Sequence, residues 1–226
     1  MTPTIIDLSH PIRPDHFRWK PRQHLHRTHE QGHSQVTWIS TSVHAFTHLD
    51  ARRHFDPAGP TTDALPLSAS VGPAAVIDVS AAGADAPITG ALMARASAHL
   101  RPGDIALIRA GWDRQANIDT PEFWTRAPWM TEEAADLLRE RGARSVGFDF
   151  PQDRCIRNPM AGLPEAAAEE YVTHQRLLLR GVTLIEYLAN LTALPGPRTF
   201  FVCAPLSLMG ADGAPARAFA LDGLGL

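Results

Sequence analysis

Short apolar segments rich in β-branched residues alternate along this chain with segments whose apolar residues recur at helical spacing. The first kind predicts strands, at residues 36–43, 74–79, 104–109, 145–149, 182–185 and 199–203. The second kind predicts helices, at residues 88–100, 131–141 and 165–179. Because strands and helices mix in both halves of the chain, the pattern predicts an α/β protein.

Turn-forming and polar residues mark some of the element ends. Thr131 is a good N-cap for the helix 131–141, whose first turn is acidic, and Gly142 is a good terminator. Residues 10–35 are rich in Pro, Arg and His and have little periodicity. We therefore expect residues 1–35 to form an irregular N-terminal arm.

Composition narrows the class of protein. A length of 226 residues favours one domain, 1–226, and a net charge of -3 excludes the basic field that holds nucleic acid. Two cysteines are too few for a disulfide framework. The N-terminus lacks a signal peptide pattern and no apolar run is long enough to span a bilayer, so we expect a cytoplasmic protein without membrane contact.

Histidine is unusually frequent, with eleven residues, most of them before residue 55. His44, His48, Asp50 and His54 fall within one short segment. A regular helix would separate Asp50 from His48 by about 200°, and a straight strand would place His44 about 13 Å from His48. Since metal ligands lie about 2 Å from the ion, the segment must curl through a tight turn if these residues share a metal.

The donor set suits a divalent ion such as zinc or manganese, because imidazole and carboxylate groups bind such ions. No cysteine is near, which argues against a closed structural zinc site, and the HExxH pattern is absent. The alternative interpretation is a turn whose histidines are exposed to solvent or paired with a nearby carboxylate.

The segment His44-Ala45-Phe46-Thr47-His48-Leu49-Asp50-Ala51-Arg52-Arg53-His54 resembles the signature of the cyclase/arylformamidase family, which includes bacterial kynurenine formamidases and isatin hydrolases. Phe46 replaces the Gly of that signature, and Arg52 replaces a common Pro. The resemblance extends over nearly the whole chain, through the segments 6–12, 147–149, 174–191 and 210–217.

The resemblance implies a single domain with a mixed, barrel-like sheet flanked by helices, and a site with one or two divalent ions. His44, His48 and Asp50 would bind one ion, and Asp50, His174 and Glu186 would bind the other, with a hydroxide between them. His54 would be the catalytic acid/base. The family also implies a homodimer or larger homo-oligomer.

Three substrate contacts are predicted near this site. Trp19 occupies the place of a substrate-facing aromatic residue in the formamidases, although it could equally be a core tryptophan. Phe46 would change the shape of the pocket, since a phenyl group fills space that Gly leaves open. Arg52 could bind a carboxylate or phosphate of the substrate, although a surface arginine is the commoner case.

Other polar residues leave alternatives open. Glu186 lies in an apolar stretch, where a carboxylate is costly unless it is paired or bound to metal. Asp149, Gln152 and Asp153 follow a predicted strand and could support the site or form a turn. The histidines between His24 and His33 could bind metal, but a solvated or lid-like arm explains them as well.

The donor set indicates metal-dependent chemistry, and the family resemblance implies hydrolysis of a small amide, with an aryl formamide such as N-formylkynurenine as the leading substrate. Attack by metal-bound hydroxide on the carbonyl carbon would be followed by proton delivery from His54 to the leaving nitrogen. The alternatives are a hydrolase of a lactam, cyclic imide or lactone, a polyketide-type cyclase or dehydratase, and a non-catalytic binding protein on the same fold.

Overall fold

The structure, a computed structural model, describes residues 3–224. Its strands are β1 (Thr4–Asp7), β2 (Arg22–Arg27), β3 (Val36–Ser40), β4 (His48–Asp50), β5 (Val71–Asp78), β6 (Pro87–Ile88), β7 (Ile105–Arg109), β8 (Trp129–Met130), β9 (Ser145–Phe148), β10 (Thr183–Glu186), β11 (Arg198–Pro205) and β12 (Gly213–Asp222). Its α-helices are α1 (Gly90–Ala96), α2 (Pro121–Thr125), α3 (Glu132–Glu140) and α4 (Val172–Arg176). Across residues 3–224, none of the helices is long and apolar enough to cross a bilayer.

Seven strands close into a barrel in the order β12, β11, β5, β7, β9, β10 and β4, because β4 also pairs with β12. The four strands from β5 to β10 in this order are parallel, and the other pairings are antiparallel. β1 extends the sheet by pairing with the last four residues of β12, on the edge opposite to β11. The α/β class and the barrel-like sheet are thereby confirmed.

The interior of the barrel is apolar and tightly filled. Six of its strands contribute one continuous buried cluster, which includes Leu49, Ala74, Val76, Ile105, Leu107, Ile185, Phe201, Cys203, Ala218 and Ala220. β9 faces this cluster with Gly147, where an added Cβ would lie 2.7 Å from Cδ1 of Leu188. A barrel of this size has room for little more than small and medium side chains, which accounts for the alanines and the glycine.

The outer face of the barrel is covered by helices and aromatic residues. The second buried cluster joins outward-facing strand residues to α1, α2 and α3, and it includes Ala75, Ile77, Met93, Ala106, Ile108, Phe123, Trp124, Leu138, Val146, Phe148 and Leu184. The protein therefore has a filled barrel and an outer layer of helices packed on one part of it.

The short strand β4 closes the barrel between β10 and β12. Its register places His48 opposite Glu186 and Asp50 opposite Gly213. Because side chains alternate along a strand, Leu49 points into the barrel while His48 and Asp50 point outward. Both are nevertheless buried, with relative exposures of 0% and 1%, so the closing strand presents two polar side chains to the space between the barrel and the outer layer.

Several predicted boundaries are close to the observed ones. The helix 131–141 is α3, and the hydroxyl of Thr131 accepts a hydrogen bond from the backbone N–H of Ala134 at 3.3 Å. Gly142 follows with φ of 80°, as expected for a helix terminator. The helix predicted at 88–100 is shorter at both ends, since Thr89 caps the start of α1 and the helix ends at Ala96 with Ser97 as its C-cap.

The helix predicted at 165–179 is wrong over most of its length, since only the five residues of α4 are α-helical. Tyr171 has a non-helical conformation, and the chain turns there. Asp153 then accepts hydrogen bonds from the backbone N–H of Thr173 at 2.7 Å and from its hydroxyl at 2.9 Å. The start of α4 is therefore fixed by a carboxylate 20 residues away. The spacing of apolar residues within the segment cannot indicate such a contact.

The expectation of an irregular arm at 1–35 is wrong over β1 and β2; the first two residues of that range lie outside the described part. β2 pairs with β3 in a separate two-stranded sheet that is exposed on both faces. A strand that is polar on both faces lacks the alternation of apolar residues from which strands are predicted. The sequence pattern also does not predict β12, the longest of the described strands, because its many small residues have weak strand propensity. The strand is stabilised by pairing with three neighbouring strands, which a local pattern does not contain.

The chain curls between β3 and β4, which confirms the tight turn predicted for this segment and shows that the strand predicted at 36–43 ends at Ser40. Within the turn, Phe46 has φ of 57°, in the left-handed region that favours glycine. Its side chain is fully buried, and its ring centroid lies 4.7 Å from that of Trp19. Burial of the ring thus offsets the strain of the backbone.

We expect Phe46→Gly and Phe46→Ala both to destabilise the metal-free protein, by about 3–5 kcal/mol for loss of the buried ring. Phe46→Gly should be the milder change by roughly 1 kcal/mol, because glycine adopts positive φ without strain. Chemical denaturation measures both values. Arg139 in α3 is the control position, where Gly should be worse than Ala by about 1 kcal/mol. An Ala variant at position 46 that is as stable as the Gly variant would contradict the assigned strain.

Candidate metal centre

The five predicted ligands meet around Asp50. His44 lies in the turn before β4, and His48 and Asp50 lie on β4 itself. His174 is in the middle of α4, and Glu186 ends β10. The barrel register and the packing of α4 therefore bring together residues that are up to 142 positions apart in the sequence.

His48 presents a lone pair to two carboxylates. Its Nδ1 lies 2.7 Å from the carbonyl oxygen of Phe46, and since a carbonyl only accepts, Nδ1 must donate. Nε2 is buried and has no hydrogen-bond partner within the described range 3–224. It lies 3.2 Å from Oδ1 of Asp50 and 3.6 Å from Oε2 of Glu186.

His174, like His48, has an acceptor at Nδ1 and faces both buried carboxylates with Nε2. Its Nδ1 lies 2.7 Å from Oδ2 of Asp153, the carboxylate that also holds the start of α4. Its Nε2 is 3.5 Å from Oδ2 of Asp50 and 3.6 Å from Oε1 of Glu186. A carboxylate that accepts from one imidazole nitrogen directs the lone pair of the other nitrogen towards a metal site.

His44 is the third histidine of this kind. Its Nε2 lies 2.8 Å from Oδ2 of Asp212, and its Nδ1 lies 2.8 Å from Oδ1 of Asp50. The ring lies against β12 at Gly213, where an added Cβ would be 2.6 Å from Cε1 of His44. Gly213 is thus needed so that the ring can reach Asp50.

The three histidines direct nitrogen atoms at the two oxygens of one buried carboxylate. A neutral imidazole carries a proton on only one nitrogen. When that nitrogen donates to an acceptor, the other nitrogen has a lone pair and cannot donate. It would therefore repel the Asp50 oxygen that it faces unless a cation lay between them. Two ligands that each lie about 2 Å from one ion are roughly 3 Å apart, which agrees with the separations of 2.8, 3.2 and 3.5 Å to Asp50. The donor set therefore fits a divalent metal ion.

Protons take the place of the cation in the metal-free chain. Burial opposes a charge on His44, but the hydrogen bonds and charges of Asp50 and Asp212 outweigh it and raise its pKa to about 9. Burial likewise opposes a charge on His174, whereas Asp153 and Asp50 raise its pKa to about 10. Burial also opposes the charge of Asp50, yet the surrounding histidines hold its pKa well below the ordinary value. Metal binding here would displace protons.

Glu186 completes the buried part of the cluster. One of its carboxylate oxygens, Oε1, accepts a hydrogen bond from the side-chain amide of Gln152. Burial, followed by the charge of Asp50, raises the pKa of Glu186. Two carboxylates buried side by side are costly unless positive charge lies between them, so the pair adds to the demand for a cation.

His54 lies at the open side of the cluster, on a 3-10 turn. Its Nδ1 is 3.2 Å from Oδ2 of Asp212, and its ring stacks on that of His44 with centroids 3.9 Å apart. Burial lowers the pKa of His54 to about 4. Its side chain is 29% exposed, whereas those of His48 and Asp50 are 0% and 1% exposed, so solvent reaches the cluster on the side of His54, His44 and Asp212.

The turn that carries His44 and His48 is tied to the rest of the barrel through Thr47. The hydroxyl of Thr47 donates to the carbonyl of Tyr187 at 2.6 Å and accepts from the backbone N–H of His10 at 2.8 Å. Since Tyr187 is 140 residues away in the sequence, this hydroxyl joins the turn to the segment that follows β10.

The three predicted substrate contacts, Trp19, Phe46 and Arg52, differ in burial and in their distance from the metal ligands. Trp19 is partly exposed and stacks on His16, beside Phe46 and Tyr187. The Tyr187 ring is in turn 5.5 Å from that of His48. Phe46 is fully buried, so it acts on the site through packing. The guanidinium of Arg52 pairs with Asp56 at 2.9 Å on the surface, and a contact of Arg52 with substrate stays a prediction.

The second histidine cluster is part of the exposed ribbon formed by β2 and β3. His26 stacks on Trp38 with centroids 4.8 Å apart, and His24 lies 5.9 Å from the same ring. His29 and His33 lie in the loop that joins the two strands. These contacts agree with the interpretation as a solvated arm.

The supporting residues were only partly foreseen. Asp153 and Gln152, for which a turn and a supporting role were both open, contact His174 and Glu186. Asp149 instead accepts hydrogen bonds from the backbone of Ala110 and Gly111. Asp212 was missed as a site residue. Its only signal was its place in the segment 210–217, which resembles the family, because its contacts depend on the pairing of β12 with β4.

Comparisons with known proteins agree with this geometry. The family model described as "Putative cyclase" matches residues 6–152, more than half of the chain. A kynurenine formamidase of Bacillus cereus is 28% identical over 218 residues, which cover 94% of this chain and 95% of that protein.

Two solved structures are also similar over nearly their whole length. Isatin hydrolase A from Labrenzia aggregata has a TM-score of 0.78 at 26% identity, with 98% of this chain and 94% of that one covered. A structure described as a potential metal-dependent hydrolase with cyclase activity has a TM-score of 0.74 at 27% identity, with coverage of 99% and 100%. The chain therefore belongs to the cyclase/arylformamidase family of metal-dependent hydrolases.

Proposed function

We propose that this protein is a metal-dependent hydrolase that cleaves the C–N bond of a small aryl amide, with an aryl formamide of the N-formylkynurenine type as the leading substrate. The observation that carries the proposal is the set of three imidazole nitrogens directed at the buried carboxylate of Asp50. The similarity to a kynurenine formamidase and to isatin hydrolase A supports the C–N bond as the target.

The ligands divide into two sets, one around each carboxylate oxygen of Asp50. His44 and His48 face Oδ1 and would hold one ion with it. His174 faces Oδ2 and would hold a second ion with it and with Glu186. Zinc and manganese both suit this mixture of imidazole and carboxylate donors. When bound, a divalent ion here lowers the pKa of a water molecule and polarises a carbonyl group.

His54 is the group that moves protons in this proposal. It lies at the open side of the cluster, and its Nδ1 is hydrogen-bonded to Asp212, so its Nε2 is the atom that can take a proton from water and give it to the leaving nitrogen. The buried ligands cannot do this, because both nitrogens of His48 and of His174 already face fixed groups.

An aromatic substrate is favoured by the residues beside the site. Trp19 is the partly exposed member of an aromatic cluster that reaches His48 through Tyr187. The face or edge of an aryl ring can pack on such a residue with offset or perpendicular geometry. The ring of a formylated aniline would lie there while its formyl group faces Asp50.

Ring opening of a cyclic amide of the isatin type is the second candidate. It is supported by the structural similarity to isatin hydrolase A. The chemistry at the carbonyl is the same, and the leaving nitrogen stays attached to the product. Turnover of N-formylkynurenine, a simple aryl formamide, isatin and an aryl lactone, each with and without chelator, separates these substrates. Faster turnover of isatin or of the lactone than of the formamides would overturn the leading choice.

We expect purified protein to contain zinc or manganese, and Asp50→Asn to lose most of it, because the amide turns an N–H donor towards lone pairs. Elemental analysis of metal per chain measures this loss. Asp63→Asn is the control, since Asp63 is exposed and its carboxylate accepts hydrogen bonds from the hydroxyl of Thr61 and from the backbone N–H of Gly210. Equal metal content in Asp50→Asn and wild type would refute the proposed ligand set. A wild type with neither metal nor turnover would favour a binding protein.

His54→Ala should lower kcat by about 100-fold or more, the usual contribution of a general acid/base, while metal content stays near that of wild type. Steady-state kinetics and elemental analysis are both needed, because loss of metal would indicate a ligand role instead. His33→Ala, an exposed histidine of the ribbon, should leave both values unchanged. Full activity in His54→Ala would exclude the assigned role.

A further inference from the structure

Asp212 is held in place by the closure of the barrel. It directly precedes β12, and its carbonyl accepts a hydrogen bond from the backbone N–H of Ala51 at 2.9 Å. The next residue, Gly213, is paired with Asp50 across β4 and β12. The side chain of Asp212 therefore starts from a rigid position next to the metal centre, although 42% of it is exposed.

One oxygen of this carboxylate faces two histidines. Oδ2 lies 2.8 Å from Nε2 of His44 and 3.2 Å from Nδ1 of His54. An ionised carboxylate only accepts hydrogen bonds, so both nitrogens must carry a proton. The two rings are stacked with centroids 3.9 Å apart, which lets a single oxygen reach both.

For His44, this contact decides which nitrogen is free. Nδ1 of His44 lies 2.8 Å from Oδ1 of Asp50, so the ring could equally donate to Asp50 and lose its lone pair on that side. In the neutral ring, which is the form that binds a metal, Asp212 favours the opposite tautomer, with the proton on Nε2 and the lone pair on Nδ1 towards Asp50. A ligating histidine needs such an acceptor on its second nitrogen.

For His54, the same oxygen has the converse effect. A proton held on Nδ1 leaves the lone pair on Nε2, the atom that the proposed function assigns to proton transfer. Without an acceptor at Nδ1, the neutral ring could carry its proton on either nitrogen. The ligand tautomer of His44 and the catalytic tautomer of His54 thus depend on one atom.

We propose that Asp212 is a positioning residue that fixes the tautomers of His44 and His54 through one carboxylate oxygen, and so couples metal binding to proton transfer. The coupling to catalysis rests on the proposed function, whereas the tautomer of the neutral His54 ring can be measured without it, and zinc affinity reports the effect on His44.

The test compares wild type with Asp212→Asn, whose amide can donate as well as accept and so no longer selects one tautomer. Long-range 1H–15N spectra of the histidine rings report the tautomer, with the His54 signals assigned from His54→Ala. In metal-free wild type near neutral pH, His54 should be protonated on Nδ1 alone, and in Asp212→Asn the two tautomers should mix. In a competition with a chromogenic chelator, Asp212→Asn should bind zinc with an affinity about 10–100-fold lower than that of wild type.

Asp7→Asn is the matched control, because the carboxylate of Asp7 forms an ion pair with Arg217 of β12 and accepts from the backbone N–H of Ser9, and it contacts neither His44 nor His54 among the described residues. It should change neither the tautomer of His54 nor the zinc affinity. An unchanged His54 tautomer in Asp212→Asn would overturn the inference even if the protein binds zinc. Absence of zinc binding by wild type would instead refute the proposed function, while the tautomer comparison would still decide the role of Asp212.

Discussion

The repulsion between imidazole lone pairs and a buried carboxylate is the constraint on which the centre of this protein depends. Each of the three histidines around Asp50 has an acceptor at its other nitrogen: Asp212 for His44, the Phe46 carbonyl for His48 and Asp153 for His174. Such an arrangement is stable only with a cation in its middle, either protons or a metal ion. The acceptors determine the direction of the lone pairs, and the carboxylate determines where they meet.

The barrel provides the rigidity that this arrangement requires. β4 closes the ring with only three residues, yet it carries His48 and Asp50 and aligns them with Glu186 of β10 and with the start of β12. The interior of the barrel is filled by apolar side chains, so the polar groups of β4 can only face outward. The buried ligands are thereby separated from the solvent side, where the partly exposed His54 can exchange protons.

Much of the centre could be predicted from the sequence, because the local motif around His44–His54 and its family resemblance already contain the ligand types. The α/β class and α3 followed from local spacing and capping. The start of α4 and the contacts of Asp212 could not be predicted, since they depend on groups 20 and 168 residues away. Strand β12 was missed for the same reason, because its small residues form a strand only when its neighbours are in place.

A metal ion shared by the lone pairs around Asp50 is the feature on which the proposed chemistry rests. Crystals of the protein as purified, measured at the zinc and manganese absorption edges, test it most directly by anomalous scattering. We predict an anomalous peak about 2 Å from Nε2 of His48 and from an oxygen of Asp50, with a second peak near His174 and Glu186 when two ions bind. Anomalous peaks only at the ribbon histidines, or ordered water alone around Asp50, would contradict it.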